Sequence, residues 1–196
     1  MNLKTLLSSV ILISIVVLLI ACDNSLKIVP VEINPVNTVK SNSFTTDSFA
    51  YYESILKKDS LNISLRLALA TNYYVDKKYD KTLENLRIVY RIDNKNIQAL
   101  TGLGNVYYDT EDYLNAVKYY EMELKLDPNN VDVRCDLATC YLNLKKPEVS
   151  LSLLKKNISI NPGHAQSHHN LSVVYNQLGK TKEAAEEMSV FNSLSK

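Results

Sequence analysis

From residue 63 onward, apolar positions recur with helical spacing rather than the strict alternation of a strand. In 97–130, Leu100, Leu103, Val106 and Tyr107 fall on one face of a first helix. A polar break follows at "DTED" (109–112), and Tyr113, Ala116, Val117, Tyr120 and Leu124 make a second stripe. Asp112 is placed to cap the second helix. Asp127-Pro128 ends it, because proline biases the preceding residue away from helical geometry. The stretch predicts a helix hairpin.

The hairpin repeats. Tyr73, Tyr107, Tyr141 and Tyr175 are spaced by 34 residues, as are Leu69, Leu103, Leu137 and Leu171. A small-residue column runs Ala70, Gly104, Ala138 and Ser172, and another runs Ile92, Leu126, Ile160 and Leu194. Pro128 and Pro162 share the period. Packing explains the columns. A small residue lets two helices approach closely, while Leu and Tyr fill the space between one hairpin and the next. A single hairpin cannot cover its own apolar face, so neighbours must stack on it.

The stretches "ALTGLGNVYYDTEDYLNAVKYYEMELKLDPNN" (99–130) and "AQSHHNLSVVYNQLGKTKEAAEEM" (165–188) carry a resemblance to the tetratricopeptide repeat family. The resemblance implies an all-α, right-handed solenoid of stacked antiparallel helix hairpins. It places repeats at 63–96, 97–130, 131–164 and 165–196. Before them, 45–62 aligns with the second half of another copy, with Tyr52 and Ile55 at its packing positions. The chain departs from the family pattern in two columns. A usually small position of the second helix holds Val89, Glu123, Asn157 and Phe191. Glu123 and Asn157 there are expected either to snorkel outward or to soften the stack. The usual Trp of the first helix is replaced by Arg66, Leu100, Arg134 and His168, the last expected to be half-buried.

The N-terminal segment has a different pattern. Lys4 precedes an apolar run from Leu6 to Ile20, the n- and h-regions of a secretory signal. "LIAC" (19–22) resembles the lipobox of bacterial lipoproteins. That resemblance implies cleavage of 1–21, a diacylglycerol thioether on Cys22, and acyl chains such as palmitate on the new N-terminus. Such chains hold a protein on a bilayer at about 0.8 kcal/mol per buried methylene. A plain signal peptide and an uncleaved anchor helix are the other readings. Residues 22–44, with Pro30 and Pro35 and no helical period, read as an extended tether reaching ~60 Å. A short edge strand near 27–33 is an alternative for part of it. The expected location is the bacterial cell envelope, facing away from the cytoplasm. Asp23 resembles an inner-membrane retention signal in some lineages, which leaves inner and outer membrane both open.

Composition removes whole classes of function. The chain carries 22 basic and 21 acidic residues, so it lacks the positive charge that dominates nucleic-acid binding. Four glycines argue against a turn-rich β fold. The five tyrosines between 107 and 120 are dense enough for a base-stacking platform, but the repeat separates them. Tyr107 belongs to a packing column, Tyr113 and Tyr120 face inward, and Tyr119 lies on the outer surface or at a seam. Tyr108 and its counterpart Tyr74 remain as ligand contacts. Cys135 and Cys140 are about 500° apart around one helix, so they form no intra-helix disulfide. Cys140 is expected to pack and Cys135 to face the groove. His164 and His168 have the i,i+4 spacing of helix-borne metal ligands, yet "HAQSH" has no acidic member and is not read as a metal site. No phosphate loop, nucleotide fingerprint or nucleophile motif occurs. No enzyme activity, cofactor, small-molecule substrate or metal is expected.

In the family, first helices line a concave face that holds a peptide or partner helix. By that pattern the groove residues here are Tyr74, Gln98, Asn105, Tyr108, Asp109, Asp132, Asp136 and His169, with Leu67 and Thr71 beside them. The basic fork of carboxylate-clamping members is missing, since its positions hold Leu67, Thr71, Gly102, Asp132 and Asp136. The three aspartates favour a basic or amide-rich ligand instead. The expected function is a membrane-tethered scaffold that binds a protein partner. An accessory or regulator of an envelope enzyme, such as a cell-wall hydrolase, is the alternative.

Overall fold

The computed structural model describes residues 46–195. The expected signal segment, Cys22 and the tether lie outside the described residues. Nine α-helices are described: α1 (Thr46–Lys58), α2 (Ile63–Val75), α3 (Tyr79–Ile92), α4 (Ile97–Asp109), α5 (Tyr113–Leu126), α6 (Val131–Asn143), α7 (Pro147–Ile160), α8 (Ala165–Gln177) and α9 (Thr181–Leu194). First helices begin at 63, 97, 131 and 165 and second helices at 79, 113, 147 and 181, so both keep the 34-residue period. Each helix packs on its sequence neighbours, and α2 also meets α4 as α6 meets α8. No strand occurs among the described residues. The architecture is an all-α solenoid.

Local sequence sets the helix ends. Asn62, Asn96 and Asn130 each cap a first helix, their side-chain oxygens accepting from the backbone N–H three residues on at 3.0–3.1 Å. Asp112 caps α5 as its sequence predicts. Asp93, Asp127 and Asn161 turn the chain between hairpins by accepting from the N–H two residues on. Within each hairpin one residue adopts positive φ: Lys77 (57°), Glu111 (60°), Lys145 (60°) and Gly179 (73°). Only the last is the residue type that does so freely, and each of the others costs about 1 kcal/mol.

The core is divided among the seams. Ala70, Leu86, Val89, Leu100 and Leu103 join the first two hairpins. Ala116, Tyr120, Val133, Leu137 and Cys140 join the next pair. Cys135, Ala138, Leu154, Leu171, Val174 and Tyr175 join the last. Tyr119 is buried at the seam, its ring parallel to Tyr107 at 5.6 Å and edge-on to Tyr90 at 5.8 Å. This decides between the two sequence-based placements of that residue.

A ladder of tyrosines runs along one side of the stack. Each column tyrosine meets the residue twenty positions earlier, on the preceding second helix. Tyr73 Oη donates to Glu53 at 2.7 Å, and Tyr141 Oη donates to Glu121 at 2.6 Å. Arg87 donates to Tyr107 Oη at 2.7 Å, and Lys155 Nζ sits 5.9 Å from the Tyr175 ring centre.

The polar residues of the two departing columns do not snorkel. Glu123 and Asn157 are fully buried, and Arg134 and His168 are nearly so. Glu123 accepts from Thr101 Oγ1 at 2.8 Å and from Asn130 Nδ2 at 3.2 Å. Arg66, Arg134 and His168 make one recurring contact, to the carbonyl six residues earlier: Ser60, Pro128 and Pro162. Each also reaches a second helix, at Asn85, Asn157 and Glu187 respectively. The seam provides partners, so the desolvation that would drive these groups outward is offset.

Among the described residues, one buried side-chain polar atom has no partner, the Oγ of Ser150. Its column holds Thr82, Ala116, Ser150 and Ala184, so alanine already fits this place twice. Ser150→Ala should therefore raise stability by about 1 kcal/mol. A thermal melt should move up by about 2–4 °C, and a lower midpoint would show that the hydroxyl is satisfied in solution.

Candidate functional site

The face that the family pattern assigns to the groove is built by the first helices α2, α4, α6 and α8. Their only Lys or Arg residues are Arg66 and Arg134, and both are turned into seams. A cavity of about 320 Å³ opens between α2, α3 and α4, bringing together Tyr74, Gln98 and Asn105 with Leu67, Thr71 and Gly102. Leu86 and Thr82 of α3 complete its wall. These two were missed at the sequence level because only first helices were considered. The signal was Gly102, in a column otherwise held by Ala68, Asp136 and Asn170, which lets Leu86 of α3 pack where a side chain would stand.

Tyr74 is less free than expected. Its Oη donates to Asp109 Oδ2 at 2.7 Å, and Tyr79 Oη approaches the same oxygen at 3.3 Å. Burial, then the bond to Asp109 and its charge, raise the Tyr74 phenol well above its ordinary range. Tyr108 is half-buried, with its ring edge-on to Tyr113 at 5.9 Å. Asn105 Oδ1 accepts from the buried Tyr120 Oη at 2.8 Å. Asp132 is exposed and meets His164 Nε2 at 2.9 Å. His169 Nδ1 lies 3.2 Å from Asn170 Oδ1, with its ring 5.1 Å from Phe191. The groove candidates thus fall into one group on α2 and α4 around the cavity and one on α6, with His169 apart from both on α8.

Cys135 does not face the groove. It is buried at the α6–α8 seam, with Asn170 Nδ2 3.2 Å from its sulfur, and burial pushes its thiol up to about 12. Burial pushes Cys140 up to about 12 as well. Neither presents a thiolate near neutral pH. His164 is held between Ser167 Oγ (2.7 Å) and Asp132. His168 is buried, not half-buried, between Glu187 Oε2 (2.6 Å) and the Pro162 carbonyl (3.0 Å). Both ring nitrogens of each histidine are therefore engaged.

Asp136 is the perturbed acid of this face. It reaches water, yet the concave wall around it displaces solvent. Its carboxyl is raised to about 6, by desolvation first and by Asp132 second, with His164 acting the other way. Glu123, Tyr74, Tyr108, Tyr120, Cys135 and Cys140 also feel its charge. A carboxyl raised above its unfolded value of 3.8 favours folding below that value, and this contribution is lost as pH rises through about 6. Asp136→Asn should thus stabilise the protein at pH 7.5 by about 1 kcal/mol, after discounting for solvent screening. The gain should vanish near pH 4. Melts of both proteins at the two pH values give the answer; an equal difference at both would exclude a strained carboxylate.

A family profile, the fourth ARM domain of tetratricopeptide repeat protein 21, matches residues 99–196. The chain belongs to the tetratricopeptide repeat family. Its fold is shared with crystal structures of MamA. One is 20% identical over 76% of this chain and 86% of that one, with a TM-score of 0.71. Another, MamA from residue 41 to the end from Desulfovibrio magneticus RS-1, is 15% identical over 76% and 84%, with a TM-score of 0.72. MamA MSR-1 is 23% identical over 76% and 86%, with a TM-score of 0.67. No curated protein sequence matches the chain. A tetratricopeptide repeat fold of this kind is suited to binding protein partners.

Proposed function

We propose that this tetratricopeptide repeat protein is a non-catalytic interaction module, tethered to a membrane of the bacterial cell envelope, that holds a peptide or helix of a partner in its concave groove. The observation that carries the reading is the cavity between α2 and α4, which opens on a face lined by first helices. Its floor is apolar and its rim carries amides and hydroxyls, the composition of a binding pocket that orients a ligand without transforming it. The buried, protonated thiols and bonded imidazoles support the non-catalytic part. The tether rests on the apolar run 6–20 and the lipobox-like 19–22. No helix among the described residues is long and apolar enough to cross a membrane.

Photo-crosslinking in cells from positions 105 and 136, with a convex position such as 118 as control, tests the groove. Partners trapped from 105 and 136 but not from 118 are the expected result. Equal trapping from all three would remove the groove from the reading. A cell-wall hydrolase among the groove-specific products would favour an accessory of an envelope enzyme. Cys22→Ser should release the protein from the membrane fraction; retention would remove the lipid anchor.

A further inference from the structure

The groove changes character along one column of first-helix residues, Ala68, Gly102, Asp136 and Asn170. Asn170 closes its part of the groove, with its Nδ2 donating to Thr139 Oγ1 at 3.1 Å across the α6–α8 seam. Gly102 has no side chain to do so. The Leu86 side chain packs against Gly102 where a Cβ would stand, 2.8 Å from Cδ1, and together with Leu67 and Ala70 it lines the cavity. Its ~320 Å³ is at the lower limit of pockets that enclose free ligands, roughly 300–1,000 Å³, so it suits a single large side chain of a longer segment. At its rim, the amide of Gln98 and the Nδ2 of Asn105 make no hydrogen bond among the described residues, which leaves donors and an acceptor for a passing backbone.

One repeat further along stands Asp136, with Asp132 one turn before it. No Lys or Arg pairs with either carboxylate among the described residues, and Asp132 meets the His164 ring alone. The concave side therefore carries Asp109, Asp132 and Asp136 against no exposed Lys or Arg on its own helices. An acidic segment would meet uncompensated repulsion here, whereas a basic one would supply the missing charge.

We propose that the groove selects a segment with a large apolar side chain for the cavity at Gly102 and a Lys or Arg for Asp136 and Asp132. This rests on the concave face being the partner site. Packed helices lie about 8–10 Å apart, and an extended chain rises roughly 3.3 Å per residue. The cavity lies between α2 and α4 and Asp136 stands beyond them on α6, at least one such spacing away, so apolar anchor and base should stand at least about three residues apart. The raised Asp136 carboxyl fits the same picture, since a bound cation would relieve the desolvation and repulsion that raise it.

Panning a randomised heptapeptide library on the full-length chain in mild detergent tests this. Synthetic versions of the enriched peptides would then be titrated into the wild type, Thr71→Trp (which fills the cavity from its rim) and Asp136→Asn. The expected peptides pair an apolar residue with Lys or Arg at that spacing. They should bind each variant at least about threefold more weakly, and the loss in Asp136→Asn should shrink at high salt. Enriched peptides that are lost on Thr71→Trp but carry no base, or that ignore Asp136→Asn, would overturn the proposal and leave the groove reading standing. Peptides indifferent to both variants, or no enrichment, would overturn the two together. Circular-dichroism melts confirm that each variant is folded.

Discussion

Replacing Gly104 by alanine should lower the unfolding free energy by about 2 kcal/mol, although alanine is the better helix former by about 1 kcal/mol. A Cβ at Gly104 would meet Tyr120 Cε1 at 2.4 Å and Cδ1 at 2.6 Å. The ring has nowhere to go: it is 1% exposed, and its hydroxyl is held by Asn105. Overpacking of this kind costs about 1–3 kcal/mol, and the severity of the contact puts this site at the upper end. Two columns explain the pair. Where the other repeats have Ala70, Ala138 and Ser172, this one has Gly104; where they have Leu86, Leu154 and Met188, it has Tyr120. The missing methyl and the larger ring are complementary. Gly104→Ala combined with Tyr120→Leu should recover part of the loss, because the double variant restores the arrangement of its neighbours. Urea denaturation of the two single variants and the double one measures the coupling. Simple additivity would show that the two sites do not share the space.

Asn157→Ala should cost still more, about 3 kcal/mol. The Asn157 amide is fully buried and uses both ends. Its Oδ1 accepts from Arg134 Nη1 at 3.0 Å, and its Nδ2 donates to the Val131 carbonyl at 2.6 Å and to Ser167 Oγ at 3.0 Å. Truncation takes one bond from each of three partners, at about 1–3 kcal/mol where a buried group is left short, and Ser167 Oγ keeps His164 Nδ1. The guanidinium matters most, since Arg134 would keep only its bond to the Pro128 carbonyl. Replacing the pair together, Arg134→Met with Asn157→Leu, should restore most of the stability, because a well-packed apolar pair avoids desolvating a cation. Chemical denaturation again decides. A double variant as unstable as Asn157→Ala would mean that the polar pair does more for this seam than satisfy itself.

The fold was legible in the sequence because its signal is periodic. A 34-residue recurrence of Leu, Tyr and a small residue constrains helix position even where individual propensities are weak, and the first and second helices keep that register. The content of the seams was not legible. Glu123 and Asn157 are types that ordinarily stay in water, and nothing local to either announces its partners. Thr101 lies 22 residues from Glu123, and Arg134 lies 23 from Asn157. The site was legible in outline, since the first-helix positions could be assigned from the period. Its depth depends on Gly102 and on two side chains of α3, and neither groove residues nor hydrogen-bond partners follow from period alone. Tyr74 illustrates the difference: its position was assigned, its engagement with Asp109 was not.

The tyrosine ladder bears on how such an array can grow. Its partners, in order, are Glu53, Arg87, Glu121 and Lys155: an acid, a base, an acid and a base. A phenol accommodates each, because its hydroxyl donates to a carboxylate and accepts from a guanidinium, while its ring face attracts an ammonium. Had this column been built of fixed charges, every neighbour would require the opposite sign, and a hairpin could stand in one place only. With tyrosine on one side of each joint, a duplicated or reordered hairpin would find an acceptable partner whichever charge it brought. The joint is amphoteric, and it leaves the number and order of units free to change while the contact itself stays the same.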